Sequence, residues 1–274
     1  MKILIVFAHP EPASFTGRLK DYAIQVLQDA GHDIQLTDLY NLDIQGAGNR
    51  NEFLKLQNPR FFDYQAEQTH ATSSGGFSPE IKKEQEKVMH AEFILFIYPL
   101  WWDSPPAILK AWIERVLAMG FAYGNQWKFS NDPLKEKKAM SIISTAGLAE
   151  IYRPNALRGD LGQLLYWFHH GTLFALGIQV LPPFVAWGAK DADDFLQGKY
   201  LEELAGRLRV LSAIEPIPFH PLGDYGEDFQ LIYKELDRKS LQPPLVACHG
   251  CGSLIPWDSD YCTECLEIER KSGT

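Results

Sequence analysis

Three short stretches of the sequence carry residue types suited to binding a planar, phosphate-bearing ligand. They read AHPEPASFTGRL over residues 8–19, YPLWWDSPP over 98–106 and STAGLAEIY over 144–152. A helix that begins near Ser14 presents free backbone N–H groups and the positive end of its dipole, which together bind phosphate. Tryptophan rings can stack on an aromatic ligand, and a small, turn-prone loop lets backbone N–H groups reach its polar edge.

Each stretch also has an ordinary structural interpretation. The first could be a capped helix beside a surface histidine, His9, and it lacks both the G-x-G-x-x-G fingerprint and the Walker A pattern. Trp101 and Trp102 could pack in the core or in an interface, because most aromatic residues do so. The third could be a plain loop with an exposed Tyr152. Three such stretches at one edge of a sheet favour binding over these alternatives.

All three stretches follow apolar runs, and the periodicity of the chain predicts the elements that hold them. Strands are predicted over 2–8, 33–39, 93–98, 138–144 and 178–185, and helices over 14–30, 79–91, 105–119, 161–176 and 191–214. This alternation indicates right-handed βαβ units and a parallel sheet covered on both faces. Five strands fit a flavodoxin-like, doubly wound α/β sheet, in which ligands bind outside the carboxyl ends of the strands. Residues 40–77 form too long a connection to be ordinary, so we expect a functional or interface-forming segment.

The composition of the chain argues against some classes of function. The chain has 274 residues, of which 46% are apolar, and a net charge of −9. This size supports one large domain, and the acidic balance argues against nonspecific binding to nucleic acid or anionic membranes. The uncharged run over 93–102 is too short to span a bilayer. No cleavage site follows the apolar run of about seven residues at the start, so we interpret it as a strand and expect a cytoplasmic protein.

The four cysteines lie near the C-terminus as two C-x-x-C pairs, Cys248 with Cys251 and Cys262 with Cys265. Four thiolates at this spacing predict a tetrahedral structural zinc site in a small knuckle similar to a zinc ribbon. Two disulfides or free thiols are the alternative, which a reducing cytoplasm disfavours. We therefore divide the chain into a domain over 1–214, an extended linker arm over 215–245 and a zinc-binding tail over 246–274.

From residue 1 to about 220 the sequence resembles the NAD(P)H:quinone oxidoreductase family, the FAD-containing flavodoxin-fold enzymes also called DT-diaphorases. The stretches that carry the resemblance are LIVFAHPEPASFTGRLK, TDLYNLDI, FSPEIKKEQEKVMHAEFILFIYPLWWDSPPAILKAWIERVL, GFAYG, STAGLAEIY and HGTLFALGIQVLPP. The resemblance implies a homodimeric NAD(P)H dehydrogenase (quinone) that binds FAD rather than FMN. It also implies ping-pong kinetics, in which NAD(P)H gives a hydride to flavin N5 and leaves before a quinone takes two electrons.

The resemblance also implies roles for the residues that match the family. The FAD pyrophosphate and adjoining groups would be bound by His9, Ser14, Phe15 and Thr16. The isoalloxazine ring is lined by Pro99, Leu100, Trp101 and Trp102, and its polar edge by Thr145, Ala146 and Gly147. Tyr152 matches the active-site tyrosine that hydrogen-bonds the flavin. The quinone pocket, which a second subunit completes, includes Tyr123, Asn125 and Phe174.

The sequence departs from the family at five functional positions. Two changes are mild: Thr16 stands where relatives often carry Asn, and Ala146 where relatives read Gly. Asp103 replaces an aromatic residue at the ring, Asn125 replaces an aromatic residue at the quinone pocket, and Arg158 replaces the histidine that partners Tyr152. Arginine stays protonated, so it cannot take up a proton as histidine does, but it can stabilise negative charge as a fixed cation. The alternative is that Arg158 points to solvent or pairs with Asp160.

Two other interpretations concern a metal and a regulatory role. Some relatives bind a metal through two histidines four residues apart in the helix that here carries His169 and His170, but Phe174 stands four residues after His170. We interpret this histidine pair as structural or pocket-lining. Other relatives of this fold are accessory subunits of potassium efflux systems. A regulatory flavoprotein, with the cysteine tail as a docking module, is therefore the alternative to an enzyme.

Overall fold

The computed structural model describes residues 1–42, 46–124, 134–228, 230–232, 246–247 and 254–255. The helices are α1 (Phe15–Asp29), α2 (Tyr64–Ser74), α3 (Pro79–His90), α4 (Ala107–Val116), α5 (Leu161–Phe168) and α6 (Asp194–Arg209). The strands are β1 (Lys2–Phe7), β2 (Asp33–Asp38), β3 (Phe93–Pro99), β4 (Lys138–Ser144), β5 (Gln179–Val180), β6 (Phe184–Ala186), β7 (Val246–Ala247) and β8 (Leu254–Ile255).

One parallel sheet organises the molecule. Its strand order is β2-β1-β3-β4-β5, and β6 pairs with the later residues of β4, so that β5 and β6 together occupy the fifth position. This order is that of a flavodoxin-like sheet and confirms the predicted α/β fold. Every residue of β3 is buried, as is usual for a central parallel strand covered by helices on both faces.

The side chains of β1 alternate between two hydrophobic layers, because successive residues of a strand face opposite sides of the sheet. Leu4 and Val6 belong to the layer that α3, α4 and α5 complete. Ile3, Ile5 and Phe7 belong to the layer completed by α1 and α6. Full burial of an aliphatic or aromatic side chain contributes about 1.5–3 kcal/mol. The two layers therefore hold the strands, and the loops that follow them, in a fixed register.

The fifth predicted strand, over 178–185, is divided into β5 and β6. The interruption is at Pro182 and Pro183, which lie between the two strands. Proline has no N–H to donate, and successive residues of a strand donate to opposite sides, so one of two consecutive prolines lacks the N–H that would face β4 and the ladder breaks even at the edge of the sheet. The expectation of one continuous strand is therefore corrected to two short ones.

The predicted helix over 161–176 begins as expected but changes its winding. After α5 the chain forms a π-helical turn over His169–Leu173 and a 3-10 turn over Phe174–Leu176. The hydroxyl of Thr172 donates to the carbonyl of Trp167 at 3.1 Å, and such a side-chain bond competes with the regular backbone ladder. Single π-turns of this kind are common at functional positions.

The long connection over 40–77 contains a helix, α2, that periodicity did not predict. Asp63 caps it by accepting from the N–H of Ala66 at 3.1 Å, and Gly75 ends it in the left-handed conformation. Two of its buried residues, Glu67 and Gln68, are polar. Because they bind backbone groups instead of packing in an apolar stripe, the helix has no amphipathic signature in the sequence.

The first residues of the predicted linker arm pack against the domain. The N–H of Ile217 donates to the carbonyl of Val180 at 2.8 Å, and the Ile217 side chain is buried. In the tail, β7 and β8 pair antiparallel, with Val246 opposite Ile255. Cys248, Cys251, Cys262 and Cys265 lie outside the described residues. None of the helices that the model describes has the length and apolarity needed to cross a membrane.

A buried carboxylate, Glu84, joins three elements of the layer formed by α3, α4 and α5. It is 1% exposed and accepts hydrogen bonds from Thr37 at 2.7 Å and from the Trp112 indole at 3.0 Å. Its other oxygen accepts from Lys87 at 2.6 Å. These bonds connect β2, α3 and α4. A buried charge is tolerated only when it is paired and hydrogen-bonded in this way.

We expect Glu84→Ala to lower the free energy of unfolding by about 3–5 kcal/mol, because the Trp112 N–H and the Thr37 hydroxyl lose their acceptor and the Lys87 ammonium loses its opposing charge. Urea unfolding followed by circular dichroism measures the change. Glu86→Ala is the matched control, since Glu86 is exposed on the same helix. The control should stay within about 0.5 kcal/mol of the wild type. Equal losses in both variants would contradict the role of the buried network.

Candidate functional site

The carboxyl ends of β1, β3 and β4 bring the three predicted stretches together, because these strands are parallel neighbours. The rings of His9 and Trp101 have centroids 5.8 Å apart. The buried hydroxyl oxygens of Thr16 and Ser144 lie 2.7 Å apart. The N–H of Leu100 donates to the carbonyl of Ser144 at 2.9 Å. Each of the three stretches thus contacts another one of them.

The N-terminus of α1 offers hydrogen-bond donors to this edge of the sheet. The hydroxyl of Ser14 accepts from the N–H of Gly17 at 3.1 Å and so caps the helix. The N–H groups of Phe15 and Thr16 precede the first intrahelical bond, and the part of the chain that the model describes supplies no acceptor for them. A Cβ at Gly17 would lie 1.9 Å from the carbonyl oxygen of Pro12, so only glycine permits this tight turn. Two free donors at the positive end of a helix fit a phosphate group.

His9 lies beside this helix terminus. Its Nδ1 lies 3.0 Å from both the backbone nitrogen and the carbonyl oxygen of Glu11, so it accepts from the N–H in one neutral tautomer and donates to the carbonyl in the other. Burial lowers the pKa of His9, and interactions with Glu11 oppose this effect. We therefore expect a neutral ring at pH 7, in which Nε2 is a donor in the first tautomer and an acceptor in the second.

The loop after β3 forms a tight turn over residues 101–104. The backbone groups of Trp101 and Ser104 bond each other in both directions, at 2.9 and 3.1 Å. The two central residues, Trp102 and Asp103, have φ angles of 50° and 57°. Both lie in the left-handed region that favours glycine, and for a bulky residue such as tryptophan this is strained. The turn leaves the Trp102 side chain 96% exposed at the rim of the site.

The loop after β4 permits close approach of the backbone to a ligand. A Cβ at Gly147 would lie 2.5 Å from Cδ1 of Ile151 and 2.9 Å from Cε2 of Tyr152, so a side chain cannot be accommodated there without movement. Thr145 is buried and its hydroxyl donates to the Gly147 carbonyl at 2.7 Å. Ala146 is exposed between them. The loop therefore presents a nearly bare backbone at the carboxyl edge.

Tyr152 is buried below this loop, and its ring packs against Trp187 at a centroid distance of 5.3 Å. Burial raises the pKa of Tyr152, the Asp103 carboxylate raises it further, and the Arg158 guanidinium opposes them. The phenol is consequently protonated at neutral pH and can donate a hydrogen bond. Asp103, Tyr152 and Arg158 form one electrostatic group at the edge of the sheet.

Arg158 pairs with Asp103 and not with Asp160. Its Nη1 lies 3.1 Å from the Asp103 carboxylate, whereas Asp160 accepts from the N–H of Gln163 at 3.0 Å and caps α5. This ion pair joins the turn after β3 to the loop that carries Tyr152. Asp103 and Arg158, two of the positions at which the sequence departs from the family it resembles, are therefore in direct contact.

The residues expected to form the quinone pocket lie farther along the chain. The hydroxyl of Tyr123 accepts from Gln65 of α2 at 3.4 Å. Phe174 packs against the rings of His170 and Phe219, with centroids 5.4 and 5.2 Å away. The contacts that join the three loops involve neither Tyr123 nor Phe174. Asn125 lies outside the described residues.

The histidine pair has packing roles in the structure. His169 is buried, its Nε2 lies 3.0 Å from the Ser141 hydroxyl, and burial lowers its pKa to about 4. His170 stacks on Tyr166 at 4.5 Å. Within the described ranges no group of three or more His, Cys, Asp or Glu side chains could hold a metal ion.

Sequence reasoning missed the contributions of Ser144, Trp187 and the Asp103 carboxylate. Ser144 ends β4 and joins two loops through its hydroxyl and carbonyl. Trp187 directly follows β6, so its place at a carboxyl end was available once the fifth strand had been divided correctly. The partnership of Asp103 with Arg158 spans 55 residues of sequence and has no local signal.

Comparisons with known proteins agree on one family. Residues 1–208 match the model of a family described as having a flavodoxin-like fold. The chain is 35% identical over 221 residues to ribosyldihydronicotinamide dehydrogenase (quinone) of Rattus norvegicus, covering 80% of this chain and 96% of the relative. It is 33% identical over 264 residues to NAD(P)H dehydrogenase (quinone) 1 of Cavia porcellus, covering 94% of this chain and 96% of that one.

Among solved structures, the chain is similar to that of a candidate quinone reductase from Klebsiella pneumoniae. The two share 36% sequence identity and superpose with a TM-score of 0.81. The match covers 85% of this chain and 94% of the other.

The backbone strain in the turn over residues 101–104 can be tested by comparing the stability of two variants. We expect Trp102→Gly to be more stable than Trp102→Ala by about 1 kcal/mol without added ligand. Both changes remove the exposed ring, but glycine also removes the cost of about 1–2 kcal/mol that a left-handed residue pays, less its own entropic cost of about 0.5–1 kcal/mol. Thermal or urea unfolding measures the difference.

Leu157 provides the control for this prediction. It is exposed like Trp102 but is not among the described residues with positive φ. At position 157, alanine should therefore be at least as stable as glycine. If alanine were also at least as stable as glycine at position 102, the turn after β3 would not be strained.

Proposed function

Because the chain belongs to the flavodoxin-like family of quinone oxidoreductases, we propose that it binds a flavin, FAD rather than FMN, and catalyses the two-electron reduction of quinones by NAD(P)H. The observation that carries this proposal is the contact between three loops at the carboxyl edge of the sheet. A helix terminus suited to phosphate, tryptophan rings and a bare backbone edge meet there, which is what a flavin requires, and the choice of FAD rests on the family.

The overall reaction is NAD(P)H + H⁺ + quinone → NAD(P)⁺ + hydroquinone. The flavin supplies the redox chemistry, accepting a hydride from the donor and passing two electrons to the acceptor. Donor and acceptor use the same space in turn, which gives ping-pong kinetics. The chain's own contribution is to bind, orient and shield these groups and to provide charge near the reacting atoms.

In this proposal the N-terminus of α1 holds the phosphates. The free N–H groups of Phe15 and Thr16 and, in the tautomer that carries it, the Nε2–H of His9 are the donors, and Ser14 keeps the helix end in place. Pro99, Leu100, Trp101 and Trp102 line the flavin ring. Thr145, Ala146 and Gly147 present their backbone to its polar edge, where the tight packing at Gly147 keeps side chains away.

Tyr152 and Arg158 act on the polar edge of the ring. Tyr152 is held against Trp187 and donates a hydrogen bond from its protonated phenol. Arg158 is a fixed cation, so it stabilises negative charge that arises there, and solvent supplies the proton. Tyr123 and Phe174, together with Asn125, belong to the quinone pocket.

We further propose that the protein is a homodimer and that its tail binds one structural zinc ion. Leu54 and Phe61 are exposed on the long connection after β2, where a second subunit would cover them. In the tail, β7 pairs with β8, and Cys248 and Cys251 stand between these strands in the sequence. Four thiolates leave no open coordination position, so the zinc stabilises the tail and does not take part in catalysis.

The function is tested on the purified chain. We expect a yellow protein whose cofactor, released by heat, has the mass of FAD, and steady-state quinone reduction with parallel double-reciprocal lines. NADH, NADPH and dihydronicotinamide riboside should be compared as donors, since the relatives include enzymes named for each kind of donor. Tyr152→Phe should retain the flavin but lose about tenfold in rate, because one hydrogen bond is removed.

A protein that neither contains nor takes up FAD or FMN would refute the flavin site. Bound flavin without turnover by any of the three donors would refute the enzyme and favour the regulatory alternative, in which a membrane partner co-purifies. Reconstitution by FMN alone would remove the need for an adenine site.

Zinc is tested by elemental analysis of protein purified without chelator. We expect one zinc per chain and its loss in Cys248→Ser, with quinone turnover unchanged because a zinc held by four thiolates has no open position for chemistry. Cys262→Ser is the matched change in the second pair. Zinc retained at full stoichiometry in both variants, or absent from the wild type, would contradict the four-cysteine site.

A further inference from the structure

The loops that carry the ion pair of Asp103 and Arg158 also carry exposed apolar residues. Trp102 precedes Asp103 and Leu157 precedes Arg158, and both are almost fully exposed. Leu148 of the loop after β4 is exposed as well. These loops therefore combine one guanidinium–carboxylate pair with exposed apolar residues, which suit an aromatic ring.

Backbone geometry holds the two charged residues at this position. The N–H of Arg158 donates to the carbonyl of Ile151 at 2.9 Å, which folds the loop back beside Tyr152. Gly159 follows with a φ angle of 79°, a turn that glycine makes without strain. On the other side, Asp103 occupies the left-handed turn after β3. The guanidinium is thus held from its own loop and from the neighbouring one.

Most N–H donors of the Arg158 guanidinium have no hydrogen-bond partner among the described residues. Its five N–H donors form a planar fork that matches a carboxylate or a sulfonate. Among the residues that the model describes, its side chain has one hydrogen bond, from Nη1 to Asp103. The side chain is 46% exposed and that of Asp103 is 29% exposed. A ligand at these loops can therefore reach N–H donors of Arg158 that no described residue engages.

We propose that Arg158 determines acceptor specificity, favouring aromatic acceptors that carry a carboxylate or sulfonate next to the reducible ring, and that Asp103 is the residue that positions Arg158. This inference rests on the proposed quinone reductase function and adds the substrate class. In this proposal the side chains of Trp102, Leu148 and Leu157 contact the ring of the acceptor. The guanidinium of Arg158 binds its anionic substituent. Asp103 fixes the guanidinium and partly compensates its charge.

The test compares a naphthoquinone with its ring-sulfonated derivative at one saturating donor concentration. Both acceptors share the same reductive half-reaction, so the ratio of their kcat/KM values isolates the acceptor step. Arg158→Gln should lower the sulfonated-to-neutral ratio about tenfold, as expected for the loss of one charge-assisted hydrogen bond. Arg158→Lys keeps the charge without the fork and should recover part of the ratio.

Asp103 is tested by two substitutions. Asp103→Asn keeps an oxygen that accepts from Arg158 but removes the opposing charge, so the ratio should rise severalfold above the wild type. Asp103→Ala removes the acceptor as well, and the ratio should fall below that of Asp103→Asn. The increase in Asp103→Asn should largely vanish at about 1 M salt, where the Debye length is about 3 Å.

Arg209→Gln is the matched control, because it makes the same change in net charge at the exposed C-terminal end of α6. Its ratio should equal that of the wild type. A ratio unchanged in Arg158→Gln, with both acceptors still reduced, would overturn this inference and leave the proposed function intact. Absence of turnover with either acceptor in the wild type would instead overturn the proposed function.

Discussion

The parallel pairing of β1, β3 and β4 is the constraint on which the candidate site depends. Phe7 is level with Ile97, and Tyr98 is level with Ile143, so the three strands reach the same edge together. Their side chains are buried on both faces, and a shift of one residue would turn each of them to the opposite layer. The loops after these strands therefore cannot move apart without loss of the core. This is why the contacts between the loops are short although the residues are far apart in sequence.

Buried charges hold the less regular parts of the chain to this sheet. Glu52 lies in the long connection after β2, and its carboxylate is 3.1 Å from Nε of Arg115 on α4, with both side chains buried. The hydroxyl of Tyr64 donates to the same carboxylate at 2.7 Å. Burial and the Glu52 carboxylate raise the pKa of Tyr64 far above its usual range, so the phenol remains a donor. The connection is thus fixed by buried hydrogen bonds and an ion pair together with the packing of Phe53 and Phe77 in the core.

The candidate site, in contrast, contains features that lower the stability of the protein. Two adjacent residues other than glycine occupy the left-handed region, and a tryptophan side chain is exposed to solvent. Such strain persists where the surrounding structure imposes it, and it is common at binding sites. The N–H groups of Phe15 and Thr16 at the start of α1 are similar, because no acceptor among the described residues completes their hydrogen bonds.

The sequence alone determined the sheet, the order of its elements and the three stretches that the fold brings together. These features follow from local signals: apolar runs for β1, β3 and β4, and Ser14 as the cap of α1. The residues that the family resemblance assigned to the flavin lie on those same loops. The C-x-x-C spacing of the tail is likewise a property of sequence, and its zinc stays a prediction.

Only the tertiary structure decided the features that depend on partners distant in sequence. α2 was not predicted because Glu67 bonds the backbone of Gln57 and Asn58, which periodicity cannot reveal. Arg158 pairs with Asp103 and not with the nearby Asp160, because Asp160 already caps α5. Hydrophobic patterns repeat along the chain and can be recognised locally, whereas the partner of a polar side chain is set by which loops the sheet brings side by side.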